Sequence, residues 1–514
     1  MIIDAKRLPQ HFTVEADICV VGAGAAGITL ARDLAGSNKQ VALLEGGDLT
    51  YTTESQHLYA GEVVGHSSIP LDADRLRFFG GTTNHWAGSC KPFWPSDFED
   101  WPFGLETLEP YYRRAHTICQ LGPYTYNPDD WMSEQARALK FLPGSHFESG
   151  VFQYSPPTRF GTVYHDDLAS SSNVTVYLNA NLIDIETRES DREVTGLKLA
   201  CLDGKRFQAR ARQYVLAAGG VENARLLLSS NKVRAAGLGN EFDLVGRYFQ
   251  DHPYVPGAAT ILAGSARSDL LFYTQHYVGN TQIEGYVRAT DEVMRKEQLP
   301  PFAIGFRALA PIVSDFGGFT LPAGLRTRLS DDTANSLTYF VQRLMIDVES
   351  SWDFLHYKIW RKPQGLFTTS YICGTAPDRE SRVTLGNSVD ALGMRRSVLD
   401  WRLPADFEIK MRRAHELLGE ELGRMGAGRL RLESAATGHD PMQDISNGHH
   451  QMGTTRMNRD PHQGVVDEHC RVHSLANLYI AGSSLFPSYA CDDPTMTIVA
   501  LALRLSDHLK SLPN

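Results

Sequence analysis

Cysteine is scarce and scattered: Cys19, Cys90, Cys119, Cys201, Cys373, Cys470 and Cys491 are the only seven in 514 residues, and no two form a CxxC pair. That spacing argues against a structural zinc site and a disulfide framework, so no metal is expected and a reducing compartment is. Long apolar runs are also missing. Ile18–Ala31 is 14 residues without charge, but Gly22, Gly24 and Gly27 interrupt it. Ser474–Cys491 is longer, yet four serines, an asparagine and a proline spoil it. Neither approaches the roughly 20 apolar residues of a membrane helix. The first residues, Met1–Phe12, show no apolar core with a small-residue cleavage site, which points to a cytoplasmic protein. Basic excess is absent as well: 50 Lys+Arg stand against 60 Asp+Glu, a net charge of −10. Without basic runs, neither a nucleic-acid footprint nor adhesion to anionic membranes is expected. There is no internal repeat or low-complexity segment. What remains is an ordinary globular composition, 42% hydrophobic and 21% charged. The length suits roughly two to four domains, or one cofactor domain with large insertions.

The first 50 residues carry the clearest pattern. Asp17-Ile-Cys-Val-Val21 is a short β-branched apolar run, suited to a buried parallel strand. Gly22-Ala-Gly-Ala-Ala-Gly27 follows, then Ile28–Leu34 at helical spacing, then Val41–Leu44 ending in Glu45. This is a βαβ unit with a G-x-G-x-x-G turn. Gly22 permits the turn, Gly24 lets a pyrophosphate approach the backbone, and Gly27 lets helix and strand pack closely. The helix N-terminus then offers free N–H groups to the anion. Glu45, 18 residues after Gly27, is placed to accept from a ribose 2′-OH. Dinucleotide binding follows; the motif alone does not separate FAD from NAD.

Further along, Val174–Leu178 reads as a strand, and Glu193–Ala209 as two strands folded at Asp203-Gly204. Tyr214–Gly220 reads as another buried strand ending in glycines, continued by a helix over Val221–Leu228. From about Pro253 to Glu433 aromatics become dense: Phe272, Tyr273, Tyr277, Tyr286, Phe302, Phe306, Tyr339, Phe340, Trp352, Phe354, Tyr357 and Trp360. Alternating segments there predict an antiparallel sheet covered by helices, with Met411–Met425 as an amphipathic helix. Such aromatics suit carbohydrate stacking, but are more often core. A terminal helix is predicted from Asp493-Pro494 to about Leu509, with aspartate as N-cap and proline at N1.

Four separated motifs together resemble the glucose–methanol–choline (GMC) family of FAD-dependent oxidoreductases. They are Gly22–Gly27 with Glu45, Gly80-Gly-Thr-Thr-Asn-His-Trp86, His450-Gln-Met-Gly-Thr454, and Ala481–Pro487 followed by Asp493–Ala502. Val245–Pro253 and Ser381–Leu385 look like further family landmarks. The resemblance implies an α/β fold: a Rossmann-type FAD domain, and a substrate domain built on an antiparallel sheet flanked by helices. The FAD domain would comprise residues 1–252, with insertions contributing to the substrate domain, and 436–514; the substrate domain would be 253–435. Carried over by position, Gly22, Gly24, Gly27 and Glu45 would hold pyrophosphate and adenosine ribose. Leu182 would meet the adenine through its backbone. Gly80, Gly81 and Thr82 would wrap pyrophosphate and flavin, with Asn84 and His85 in the same loop, and Gly482, Ser483 and Thr495 would complete the set. The context of His85 is similar to that in pyranose 2-oxidase, whose aligned histidine is bonded to the flavin. That implies either a covalent link through His85 or a histidine packed beside the flavin without one.

The resemblance places catalysis at His450. Alcohol oxidation needs the O–H proton removed as hydride leaves carbon for flavin N5, and a histidine is matched to that transfer near neutral pH. Of the doublet His449-His450, only His450 fits the family's H-x-x-G-T spacing. Its partner position departs from the family: asparagine or histidine is usual, and here Asp493 stands. An ionised aspartate only accepts hydrogen bonds. It could be a plain N-cap, be protonated, pair with His450, or meet a cationic group such as the amine of an aminosugar. The implied activity is FAD-dependent oxidation of an alcohol on a sugar, glycoside, aminosugar or polyol, with dioxygen or another electron acceptor. Two alternatives share the motifs: a non-redox flavin lyase, and a dehydrogenase subunit passing electrons to a protein partner. The sequence leaves the oligomeric state open.

Overall fold

The structure, a computed structural model, describes all residues except 67–68, 135, 157, 189–191, 263–269, 309–365, 432–440, 490 and 514. Tyr339, Phe340, Trp352, Phe354, Tyr357 and Trp360 therefore lie outside the described residues.

The β-branched runs of the N-terminal half form a six-stranded parallel sheet. Its order is Ile2–Asp4, Val174–Leu178, Val41–Leu44, Ile18–Val21, Gln213–Leu216 and Leu478–Ile480. The strands Ile18–Val21 and Val41–Leu44 are buried at every position, as expected of a sheet covered on both faces. Helix Ala25–Leu34 lies across them, and helix Thr495–Ser511 packs beside it and against helix Leu105–Ile118. The turn that starts the first helix tolerates no side chain at Gly22 or Gly27. Gly22 has φ +103°, and a Cβ on Gly27 would stand 1.8 Å from the Gly22 carbonyl oxygen. The Asp203-Gly204 hairpin joins Val194–Ala200 to Arg206–Arg210, antiparallel, within a four-stranded sheet.

The larger sheet is antiparallel along its main path: Gly428–Leu430, Pro253–Leu262, Leu366–Cys373, Phe302–Ala308, Thr281–Ala289, Phe147–Tyr154 and Ser89–Cys90. Two of these strands come from before residue 252, so the chain enters this sheet before its aromatic-rich segment begins. Helix Phe407–Arg424 starts about a turn earlier than its periodicity suggested, and covers one face. Its Met411, Leu418 and Leu422 join Phe272, Tyr273, Phe302 and Phe306 in one apolar core. These aromatics are packing residues, and Tyr277 is exposed.

A three-stranded sheet, Arg382–Val389, Arg395–Trp401 and Glu62–Gly65, lies against helix Gly219–Ser229. This stretch, expected in the substrate domain, is thereby tied to the cofactor side. The tie is ionic and buried. Arg225 Nη1 donates to Glu222 at 3.1 Å and Nη2 to Asp390 at 2.5 Å, while Arg75 holds the other Glu222 oxygen at 3.2 Å. Burial raises the Glu222 pKa, but the arginines outweigh it and hold the carboxyl below its ordinary range. Removing one partner of such a cluster strands the remaining charges in a low dielectric. Arg225→Met is expected to destabilise the fold by about 3–5 kcal/mol in urea unfolding. A loss below about 1 kcal/mol would show that water reaches the cluster.

Candidate active site

A cavity of about 750 Å³ lies between the parallel sheet and the large antiparallel sheet. Val21, Leu44, Ala217 and Gly482, which end or follow four of the parallel strands, form part of its wall. Open α/β sheets bind ligands at this edge, outside the carboxyl ends of their strands.

Most of the residues picked out from sequence meet at this one cavity. Gly22, Gly24, Glu45, Gly81, Thr82, His85, Leu182, His450, Gly482, Ser483, Asp493 and Thr495 all line it. Gly27, Gly80 and Asn84 do not, and each does other work. Gly27 serves the strand–helix contact described above. Gly80, at φ +98°, turns the loop so closely that an added Cβ would stand 2.9 Å from the Gly161 nitrogen. Asn84 donates its side-chain amide to the carbonyls of Phe79 and Gly81, both at 3.0 Å. It shapes the loop from behind.

The walls suit a dinucleotide. Gly24, Gly219 and Gly482 line the cavity, and a Cβ built on any of them would meet no protein atom within 4 Å. Side chains there would fill the space left for a ligand against the main chain. Glu45 is fixed by two backbone donors, Ala23 N–H at 2.9 Å and Gly47 N–H at 2.7 Å, and its carboxylate has lone pairs left for a ribose hydroxyl. Arg75 and Arg77, which the sequence reading overlooked, also line the cavity and stack on Tyr59. Arg77 Nη2 donates to Asn181 at 2.8 Å, while its buried Nε has no hydrogen-bond partner among the described residues. A buried donor of this kind matches an anionic group.

The opposite end is built around the histidine doublet. His449 has left-handed backbone, φ +64°, which turns the two imidazoles apart. His449 Nδ1 pairs with the buried Asp74 carboxylate, which raises its pKa; Gln451 donates to the other Asp74 oxygen at 2.5 Å. His450 points the other way. Its backbone N–H donates to Asp251 Oδ1 at 2.8 Å, and its Nδ1 lies 2.6 Å from His252 Nδ1. Burial lowers the His450 pKa below 6.5, with Asp493 pulling in the opposite direction. Burial also pushes Asp251 up to about 7, helped by the Asp74 charge.

Asp493 corrects an expectation. Helix Thr495–Ser511 has Pro494 as its N-cap and no side-chain cap. The Asp493 carboxylate instead faces the cavity, with Oδ1 at 3.3 Å from His450 Nε2. Its neighbour Asp492 is buried and paired with Lys91 at 2.6 Å. His85 is exposed on the cavity wall, and desolvation by its surroundings lowers its pKa, which favours the neutral ring.

Roofing this end, Tyr154 donates to Glu284 Oε2 at 2.5 Å, and both line the cavity with Tyr254 and Ser370. Glu284 sits in the strand Thr281–Ala289 with no local motif to mark it. Asp251 and His252 fall within the landmark Val245–Pro253, yet nothing in that string shows which side chain they reach. That contact spans 198 positions.

Known proteins share stretches of this sequence and its fold. Residues 17–236 match the FAD-dependent oxidoreductase family profile, and residues 377–502 match that of the GMC oxidoreductases. The chain is 23% identical to the fructose dehydrogenase large subunit of Gluconobacter japonicus, covering 96% of this chain and 98% of that one. It is 24% identical to 6'''-hydroxyparomomycin C oxidase of Streptomyces lividus, over 96% and 91% of the two chains. Its fold matches the crystal structure of a pyridoxine 4-oxidase from "Mesorbium loti" with TM-score 0.61 at 18% identity, covering 97% of this chain and 100% of that chain. Profiles at both ends of the chain, meeting at one dinucleotide-shaped cavity, place this protein in the GMC family of oxidoreductases, with FAD as its cofactor.

Proposed function

We propose that the protein oxidises a CH–OH group of a sugar-like alcohol to a carbonyl, with His450 as the base. One observation carries the reading: His450 Nε2 and Asp493 Oδ1, 3.3 Å apart, belong to residues that line the same cavity as the glycine turn. When bound, FAD supplies the two-electron acceptor for the hydride that leaves carbon. The chain supplies the proton acceptor. Burial keeps the imidazole neutral at working pH, so Nε2 can accept the hydroxyl proton. The Asp493 carboxylate beside it stabilises the imidazolium that results.

Among sugar-like alcohols, those carrying an amine suit the pocket best. Two carboxylates, Asp493 and Glu284, line the cavity, where an ammonium group would meet complementary charge. A relative named for an aminoglycoside, 6'''-hydroxyparomomycin C oxidase, supports the same reading. Polyols and plain sugars remain in the substrate panel, since a fructose dehydrogenase subunit is also a relative. A cytoplasmic location is proposed on the seven unbonded, buried cysteines.

Anaerobic mixing of the yellow holoenzyme with a panel of aminosugars, neutral sugars and polyols is expected to bleach the flavin, fastest with an aminosugar. No bleaching by any alcohol would overturn the redox reading. His450→Ala should keep its FAD and lose about 10²–10⁴-fold in the rate of flavin reduction, the usual contribution of a general base. Retained turnover would reject the assignment. The pH profile gives a further check. The base works when neutral, so the rate should fall as pH drops through a value below 6.5. Asp493 raises that pKa, so Asp493→Asn should move the acidic limb to lower pH. A shift to higher pH would mean that the two groups do not interact as the geometry implies.

A further inference from the structure

We infer that His252 is a positioning residue that sets the tautomer of His450, by accepting the Nδ1 proton and leaving Nε2 bare for the substrate hydroxyl. This rests on His450 being the base.

The argument is one of counting protons. The two Nδ1 atoms lie 2.6 Å apart with their rings nearly perpendicular, at 87°. Two bare nitrogens would repel at that distance and two N–H groups would clash, so one proton sits between them. If His252 owns it, a neutral His450 carries its own proton at Nε2, directed at Asp493 Oδ1, and cannot act as a base. If His450 owns it, Nε2 is bare. Asp493 favours the first arrangement, since an anion 3.3 Å from Nε2 draws a proton there. His252 supplies the acceptor that makes the second possible. Once the substrate O–H bond breaks and the N–H bond forms at Nε2, both nitrogens of the imidazolium have acceptors, His252 Nδ1 and Asp493 Oδ1.

The surroundings fix the pair in place. Asp251 Oδ1 accepts from the backbone N–H of both histidines, His252 at 2.7 Å and His450 at 2.8 Å. The Tyr489 ring packs on His252, tilted at 46° with 4.8 Å between centroids, and its hydroxyl donates to the Asp251 carbonyl at 2.6 Å. The charged groups acting on His450 are Asp493, His449 and Asp74. Asp493 meets the ring at Nε2, and Asp74 is held by His449 and Gln451.

The test compares His252→Leu with His252→Asn in the FAD-loaded enzyme. Asparagine sets an amide oxygen near the lost Nδ1 and can still accept; leucine cannot. The leucine variant is expected to keep its FAD and its KM while the rate of anaerobic flavin reduction falls about 10- to 100-fold, part of what a general base contributes. The asparagine variant should stay within about fivefold of the parent. Nitrogen-15 spectra of ring-labelled histidine, with the His450 signal identified by its loss in His450→Ala, give a readout independent of turnover. They should show His450 protonated at Nδ1 in the parent and at Nε2 in His252→Leu. Equal impairment of both variants, or an unchanged His450 tautomer in the leucine variant, would reduce His252 to a packing residue and overturn the inference. Unimpaired flavin reduction in His450→Ala would instead remove the reading on which it rests.

Discussion

Everything at the active site depends on one pairing in the parallel sheet. Leu216 lies opposite Val21 on one side and Ile480 on the other, in parallel register. Because the three strands end level, the glycine turn at Gly22, the turn after Leu216 and Gly482 reach the same edge together. A shift of register there would carry the C-terminal segment away from the N-terminal phosphate turn. The packing of helix Thr495–Ser511 beside helix Ala25–Leu34 then brings Asp493 and Thr495 to the cavity from the far end of the chain.

The second constraint is electrostatic. The site collects carboxylates where burial penalises them, and it meets the penalty in three ways. Asp492 takes Lys91 as a counter-ion. Asp74 takes His449 and Gln451. Asp251 has no salt-bridge partner among the described residues and leans on the Asn447 amide and two backbone N–H donors, so burial lifts its pKa to about 7. Burial acts on His450 in the opposite sense, lowering its pKa because its charged form is the cation. One dielectric environment thus favours a neutral imidazole beside a neutral or weakly ionised carboxyl, the state that the proposed base needs. This is a useful state for accepting a proton from an alcohol.

Asp493 fits the same logic. A carboxylate at a helix start ordinarily caps it, and the Asp-Pro-Thr string reads that way. In the structure Pro494 occupies the cap, and the Asp493 side chain is free to face His450. Glu284, which accepts from Tyr154, is a second carboxylate on the same cavity.

The cofactor end was largely legible in the sequence, because its chemistry is local. A strand, a glycine turn, a helix and an acidic residue within 50 positions have one sensible arrangement. The order of later motifs likewise implied that both ends of the chain meet one FAD. Gly27, from the first glycine motif, and Gly80 and Asn84, from the second, do not line the cavity but shape the backbone beside it, a difference that spacing does not encode. The substrate end was hardly legible. Glu284, Asp74 and His252 act across sheet, loop and doublet, and their partners are fixed by packing between segments far apart in sequence. By itself the sequence determined the glycine turn for a dinucleotide, carried the family resemblance that implies FAD, and singled out His450 from its doublet. Tertiary structure alone decided what surrounds that histidine, because hydrogen bonds and burial are set by neighbours in space.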